Sequence, residues 1–325
     1  MMHKVAVVGA GLAGLTCAQV LKEAGCEVVV LEKSRGPGGR LSTRRTDAAQ
    51  YDHGAQYFTV RDARFAEFIS ARVADGSVAV WQPRRSSTAP ATDESWYVGT
   101  PGMSALGRAQ ARGLDVRTEQ RVTSLQRSAE QWQLVMEDGS LLEAFDAVVV
   151  AVPNAQAVPL LEPHAPDWAR QLAGTPMQPC WTVMFSSEDE LTMVDADTPP
   201  DSPIGWWARN SSKPGRASTQ TRHDWVLQAT PQWTEAHLED DKAAVGELLI
   251  QAFGELLERS VLALDAPMAH RWLYARRQPG LAALDECWWS YDQALGVCGD
   301  GLSHSRVEQA YLSGLLLGQA MVKQQ

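Results

Sequence analysis

Val5-Ala6-Val7-Val8-Gly9-Ala10-Gly11-Leu12-Ala13-Gly14 stands near the head of the 325-residue chain. The apolar run reads as a buried strand, and the three glycines at Gly-x-Gly-x-x-Gly spacing close it into a turn that opens a helix. Gly9 permits the tight turn, Gly11 lets a pyrophosphate approach the backbone, and Gly14, beside the small Ala13, lets helix pack on strand. The helix N-terminus offers free N–H groups and the positive end of its dipole to phosphate. A second strand, Val28-Val29-Val30-Leu31, ends at Glu32, 18 residues beyond Gly14. Its carboxylate is placed for ribose hydroxyls and disfavours a 2′-phosphate, so the expected ligand is NAD or FAD rather than NADP. The stretch Val5 to Leu21, preceded by His3 and Lys4 and containing Cys17, has the outline of a signal peptide or lipoprotein site. A βαβ unit explains the glycine spacing and the second strand, and a cleaved leader explains neither.

Composition narrows the function. There are 29 Lys+Arg against 39 Asp+Glu, a net charge of −10, with 45% hydrophobic and 21% charged residues. This is ordinary globular composition. The acidic balance argues against a nucleic-acid or anionic-membrane partner, and no protein partner is evident. No run approaches the ~20 apolar residues of a membrane span. Five cysteines (17, 26, 180, 287, 298) form no CxxC pair and no Cys/His metal spacing. No metal site is expected, and the scattered thiols read as reduced in a cytoplasmic protein. Twelve Trp residues favour wide apolar surfaces, either core or a pocket for a flat ligand.

The spacing predicts helices at 62–75, 104–111 and about 240–258. A strand meander is expected over 121–126, 132–137, 141–145 and 147–152, the last run continuously apolar like a buried parallel strand. Strand-like runs at 181–185, 204–208, 225–229 and 268–274 alternate with Pro/Ser/Asp-rich stretches at 186–203 and 210–222, read as exposed loops. The first texture returns at Leu295–Cys298. Gly299-Asp300-Gly301 and a helix follow, whose start, Ser305-Arg306-Val307-Glu308, fits a capping box. The expected fold class is α/β. A Rossmann-like dinucleotide domain, discontinuous over 1–75, 100–155 and 280–325, carries an inserted α+β mixed-sheet substrate domain of 76–99 and 156–279.

Glu32-Lys33-Ser34-Arg35-Gly36-Pro37-Gly38-Gly39-Arg40 resembles the Glu…Arg-x-Gly-Gly-Arg segment of the flavin amine oxidase superfamily. Asp52-His53-Gly54-Ala55-Gln56-Tyr57-Phe58-Thr59 resembles the corresponding segment of its renalase branch, and Gly299-Asp300-Gly301 the C-terminal flavin motif. The resemblance implies FAD, contacted by Gly9, Gly11, Ala13, Gly14, Glu32, Lys33, Arg35, Gly39 and Arg40, then by Gly54, Ala55 and Gln56. It adds the backbone near Val122 at adenine, and Gly299, Asp300, Arg306 and Val307. Arg35 and Arg40 can neutralise the pyrophosphate, whereas Arg44 and Arg45 read as solvated loop charges. Asp300 can hold ribityl hydroxyls, and the last helix would aim its positive end at the flavin pyrimidine edge. Attachment is expected to be non-covalent, because Cys298 lies inside a strand rather than in the family's Ser-Gly-Gly-Cys-type segment.

Hydride transfer to a flavin needs a donor carbon stacked on the ring, in a flat aromatic pocket with few polar anchors. Tyr57, Trp207, Arg209, His270, Trp272, Tyr274 and Arg276 are the catalytic-pocket candidates, with Trp206 beside them. The alternate residues from His270 to Arg276 share one strand face, rich in polar and aromatic groups for a closed core. Only six lysines occur (4, 22, 33, 213, 242, 323), and Lys213 sits in a turn-like Ser-Ser-Lys-Pro-Gly segment. Many amine oxidases use a lysine near the flavin, so this scarcity suits the renalase branch. That resemblance implies an oxidase of 2- and 6-dihydro isomers of NAD(P)H, giving NAD(P)+ and H2O2 from O2, with arginines at 209, 216 or 276 meeting the substrate's phosphates. The alternative is an amine oxidase acting on a small amine.

Overall fold

A computed structural model describes residues 2–86, 93–128, 130–216 and 221–324. Residues 217–220, part of a loop read from sequence, lie outside the described residues, as do 87–92. The chain runs β1 (Lys4–Val8), α1 (Leu12–Glu23), β2 (Glu27–Glu32), β3 (Thr43–Arg45), β4 (Gln50–Asp52), α2 (Ala63–Ala74), β5 (Val78–Trp81), β6 (Trp96–Gly99) and α3 (Ser104–Gln110). It continues through β7 (Asp115–Thr118), β8 (Val122–Ser128), β9 (Gln131–Met136), β10 (Ala147–Val150), α4 (Asn154–Leu161), α5 (Pro166–Ala173) and β11 (Met177–Ser187). Then come β12 (Ala196–Asp197), β13 (Ile204–Arg209), β14 (His223–Ala229), α6 (Pro231–Ala236), α7 (Lys242–Leu256), β15 (Met268–Arg277), β16 (Cys287–Ser290), β17 (Leu295–Cys298) and α8 (Val307–Lys323).

The first sheet has the order β16-β17-β10-β1-β2-β7, parallel except for the β16–β17 pair. Strand alternation explains its two cores. Val5 and Val7 point to one face, against α1 and α8, and Ala6 and Val8 to the other, against the β8–β9 hairpin, α4 and α5. Small residues let α1 and α8 touch. A Cβ on Gly314 would strike the Ala13 carbonyl, and one on Gly318 would lie 2.7 Å from Val20 Cβ.

The second sheet is antiparallel, in the order β12-β13-β14-β11-β15. The Val245, Leu249 and Phe253 stripe of α7 packs one face onto Trp181, Trp207 and Trp225. The other face looks toward the segment that follows β4. The β5–β6 hairpin packs with α2, α3 and the β13 residues Trp206 and Ala208, so it ties the two sheets together.

Three expectations are corrected. Residues 156–173, placed in the inserted domain, pack through Ala157, Leu160, Leu161, Ala169 and Leu172 into the core of the first sheet. The polar stretches at 186–203 and 210–222 are not simple exposed loops: Ser187, Asp195, Asn210, Ser211, Lys213 and Arg216 are buried, because their polar groups find partners inside the protein. The capping box at the start of α8 does not form. Ser305 Oγ accepts from the Arg277 amide (2.6 Å), and the Glu308 carboxylate accepts from the Arg61 and Asp62 amides (2.7 and 2.8 Å).

Candidate flavin and substrate site

At the β1–α1 turn the three glycines do different work. Gly9 has φ +108°, and a Cβ there would meet the Ala151 carbonyl at 2.5 Å. A Cβ on Gly14 would strike the Gly9 carbonyl. Gly11 has nothing within 4 Å of its Cβ position, so its backbone borders open space at the helix N-terminus, where no side chain caps α1. Such a cradle fits a pyrophosphate. Glu32 is buried, and its carboxylate accepts from the Ala10 and Ser34 amides (2.9 and 2.8 Å), which fixes it beside the turn. The Gln120 amide donates to the Glu32 carbonyl, and this brings the start of β8 at Val122 to the same edge.

The loop after β2 folds back over this cradle. The Gly38 amide donates to the Ala10 carbonyl, and the Cβ position of Gly39 lies 3.4 Å from Gly11 Cα. Arg40 joins Asp300 through two hydrogen bonds and donates to the Ala275 carbonyl (3.0 Å). The two residues expected at different parts of FAD are therefore paired with each other. Gly299, at φ +155°, likewise has open space at its Cβ position. Lys33, Arg35 and Arg306 are exposed. Arg306 is the α8 N-cap residue without a side-chain cap bond, and the neighbouring Val307 is half-buried, so the first turn of α8 keeps free N–H groups.

The segment after β4 lines the space between the two sheets. The Ala55 amide donates to the Arg40 carbonyl (2.9 Å), and a Cβ on Gly54 would strike that same carbonyl. Gln228 on β14 donates to the Gly54 carbonyl (2.8 Å). Trp272 Nε1 donates to the His53 carbonyl (2.7 Å), and the Trp272 ring stacks on the His53 ring at 5.3 Å and 27°. His270 meets His53 edge-on at 4.9 Å and Trp272 at 4.5 Å. Burial first, then Arg44, pushes the His270 pKa down to about 4. Burial, His270 and Arg44 do the same to His53. Both rings are neutral at pH 7. On the other flank Tyr57 stacks on Trp96 at 3.9 Å and 13°, with Trp206 5.3 Å away.

Behind this segment lies a buried charge cluster. Asp52 Oδ2 faces Lys213 Nζ (3.4 Å) and the Arg216 guanidinium, and none of the three side chains is exposed. Its Oδ1 accepts from Thr43 Oγ1 and the Met103 amide, both at 2.8 Å. Burial opposes ionisation of Asp52, but Lys213, Arg216 and the Met103 amide outweigh it and hold its pKa low. Lys213 is the second cation on a shared carboxylate. Burial and Arg216 lower its pKa to about 8.

The structure sorts the sequence-predicted pocket residues. Tyr57, His270 and Trp272 converge on residues 53–57, with Tyr274 half-buried and Arg276 exposed further along β15. Trp207 and Arg209 do not join them. Trp207 is buried among Trp225 and Phe253 on the opposite sheet face, because strand alternation gives the inner face to Trp206. Arg209 is paired with Glu190 and Asp195. Arg216 is committed to Asp52, which leaves Arg276 of the three arginines considered for phosphate. Lys213 is not in an exposed turn. Sequence reasoning passed over His53, Trp96 and Gln228; the quoted Asp52–Thr59 motif contains the first, and nothing local marks the other two.

With this geometry in place, comparison with known proteins identifies the family. The chain matches the model for flavin-containing amine oxidoreductases over residues 82–320 and that for an NAD(P)-binding Rossmann-like domain over residues 7–71. It belongs to the flavin-containing amine oxidoreductase family. An Exiguobacterium protein provisionally named a protoporphyrinogen oxidase has the same fold (TM-score 0.79, 11% identity, 99% of each chain). So does cyclohexylamine oxidase from Brevibacterium oxydans (TM-score 0.74, 13% identity, 99% of each chain). A hydroxyneurosporene desaturase of Rubrivivax gelatinosus is 44% identical over 59 residues, 18% of this chain and 11% of the desaturase. An L-amino acid oxidase of Cerastes cerastes is 52% identical over 44 residues, 14% of this chain and 8% of the oxidase. The match thus spans about a tenth of these curated relatives' length. The cofactor is FAD, held without a covalent bond. The residues that would hold it are those around the open space at Gly11 and Gly299, with Glu32, Arg40 and Asp300 at its border. Bound there, it supplies a two-electron acceptor. Cys298 is buried in β17. Among the described residues no helix is long and apolar enough to cross a membrane, and no His/Cys/Asp/Glu group could hold a metal ion.

Proposed function

We propose that the protein is an FAD-dependent oxidase that takes a hydride from 2- or 6-dihydro isomers of NAD(P)H and passes the electrons to O2. Overall, the dihydropyridine gives up a hydride to become NAD(P)+, and O2 takes those two electrons, the hydride's proton and one proton from solvent to become H2O2; bound FAD would supply the two-electron relay. The observation that carries this reading is the pairing of flat aromatic walls with an exposed arginine. The His53–Trp272 and Tyr57–Trp96 stacks flank the same segment, and exposed Arg276 lies further along β15. Neutral His53 and His270 suit an uncharged dihydropyridine, and Arg276 suits its phosphates. Lys213 is engaged by Asp52 and Gln56, which removes it as a free base. The protein is read as cytoplasmic, with a small-molecule substrate as its partner.

The test is anaerobic titration of the flavin absorbance with chemically reduced NAD+ containing the dihydro isomers, alongside pure NADH and a panel of amines. Bleaching by the isomer mixture alone is expected. Bleaching by amines alone would replace this reading with an amine oxidase.

A further inference from the structure

The Asp52–Lys213–Arg216 cluster carries two positive charges against one negative charge, all sealed from water. The charged groups that face Lys213 are Asp52 from β4 and Arg216 from its own loop. Gln56 offers an amide oxygen at 3.1 Å, and β5 offers the Trp81 ring, whose centroid is 5.4 Å away. Among the described residues no second carboxylate pairs with Lys213. A surplus charge in a low-dielectric site is costly unless an anion offsets it.

The cluster backs onto the cofactor cradle. Gln56 accepts from Lys213 through Oε1, and its Nε2 donates to the Asp52 and Gly54 carbonyls. Next to Gly54, Ala55 is bonded to Arg40, whose guanidinium holds Asp300 at the cradle. Hydrogen bonds and the short covalent links within Gly54–Ala55 and Arg40 therefore connect the Lys213 ammonium to the border of the FAD site. A flavin gains negative charge when it is reduced, so reduction supplies the anion that the cluster lacks.

We propose that Lys213 is a positioning residue whose buried ammonium, acting through Gln56 and the 52–56 turn, favours the reduced, negatively charged form of the bound flavin. It is not an acid or base toward substrate. The lowered pKa of Lys213, about 8, adds a signature. Above that pH the lysine is neutral beside oxidised flavin, and the charge gained on reduction draws a proton back onto it. Reduction then takes up two electrons and two protons, one proton on the flavin and one on Lys213.

The experiment is a dye-equilibrated midpoint potential of the purified holoprotein from pH 6.5 to 9.5, reduced with dithionite and without substrate. It does not depend on which substrate the enzyme oxidises. The wild-type potential is expected to fall more steeply above about pH 8 than below it. Lys213→Met should shift the equilibrium at pH 7 at least tenfold toward oxidised flavin, about 30 mV for a two-electron couple, and abolish the break in slope. Lys213→Arg, which keeps the charge, should restore most of the potential. A Lys213→Met potential equal to wild type would overturn the proposal, as would failure of Lys213→Arg to rescue it. A wild-type profile without the break overturns it even if the methionine variant does not fold.

Discussion

Replacing Asp52 by Asn should be the most damaging polar substitution in this protein. Asp52 is fully buried, shared by Lys213 and Arg216, and bonded to Thr43 and the Met103 amide. Asn keeps the shape and can still accept one or two of these bonds, but it removes the only negative charge in the cluster. Two buried cations then face each other without a counter-ion. Breaking a buried ion pair by removing one partner costs about 3–5 kcal/mol. Unfolding entropy of about 2.1 cal/mol/K per residue gives roughly 0.7 kcal/mol/K for 325 residues. The expected fall in Tm is therefore about 4–7 °C. Calorimetry of the apoprotein measures it without interference from cofactor binding. The double variant Asp52→Asn with Lys213→Met removes one of the stranded cations and should recover part of the loss, as expected for coupled neighbours. A single-variant shift below 1 °C, or strict additivity in the double variant, would refute the reasoning.

The glycines give a second, contrasting pair. Gly11→Ala should leave apoprotein stability within about 0.5 kcal/mol, because its Cβ meets open space, yet weaken FAD retention. Gly14→Ala should destabilise the apoprotein itself by about 1–3 kcal/mol, since its Cβ strikes the Gly9 carbonyl. Thermal melts and flavin content separate the two effects. Acid should also destabilise the fold through the histidines. Unfolded His binds a proton below about pH 6.5, whereas His53 in the fold does so only below about 4. Between those values the unfolded state holds more protons, so stability falls as the pH drops, by about 2 kcal/mol from pH 7 to pH 5 for His53. Urea unfolding should show a smaller pH dependence in His53→Asn; an unchanged slope would count against it. Trp207→Ala should lower stability by about 3–5 kcal/mol with the flavin spectrum of the folded fraction kept, because its ring belongs to the α7 core.

What was legible in the sequence follows from how far apart the interacting groups lie. The cradle could be read because Gly9, Gly11, Gly14 and Glu32 act through local backbone geometry, and each requirement leaves a mark at fixed spacing. The meeting of His270 and Trp272 at His53 could be read because strand alternation is local too, whereas the register irregularity between Trp272 and Arg276 leaves no mark in the sequence. The charge cluster could not, since Lys213 and Asp52 lie 161 positions apart and Ser-Ser-Lys-Pro-Gly has the composition of a surface turn. Composition reports polarity, but burial depends on whether a distant partner neutralises that polarity. The same blindness affects Ser305 and Glu308. Their spacing fits a cap, but the Arg277, Arg61 and Asp62 amides compete for the same oxygens and win.

That competition has a consequence for the site. A satisfied capping box would consume N–H groups at the start of α8. Here the two side chains that could cap the helix tie it instead to β15 and to the start of α2, so its first turn is anchored while its N–H groups stay free. The start of α1 is left uncapped as well, at Gly11. Orphan helix donors cost free energy when nothing accepts from them. Two such termini, one beside the Gly11 turn and one a few residues beyond Gly299 and Asp300, would make an anionic cofactor bound there part of the fold's own hydrogen-bond balance. Loss of FAD should accordingly loosen the starts of α1 and α8 before the centres of the sheets. Hydrogen exchange of the apoprotein against the holoprotein reads this directly. Equal protection of both helix starts in the two forms would show that protein or water, and not the cofactor, satisfies those donors.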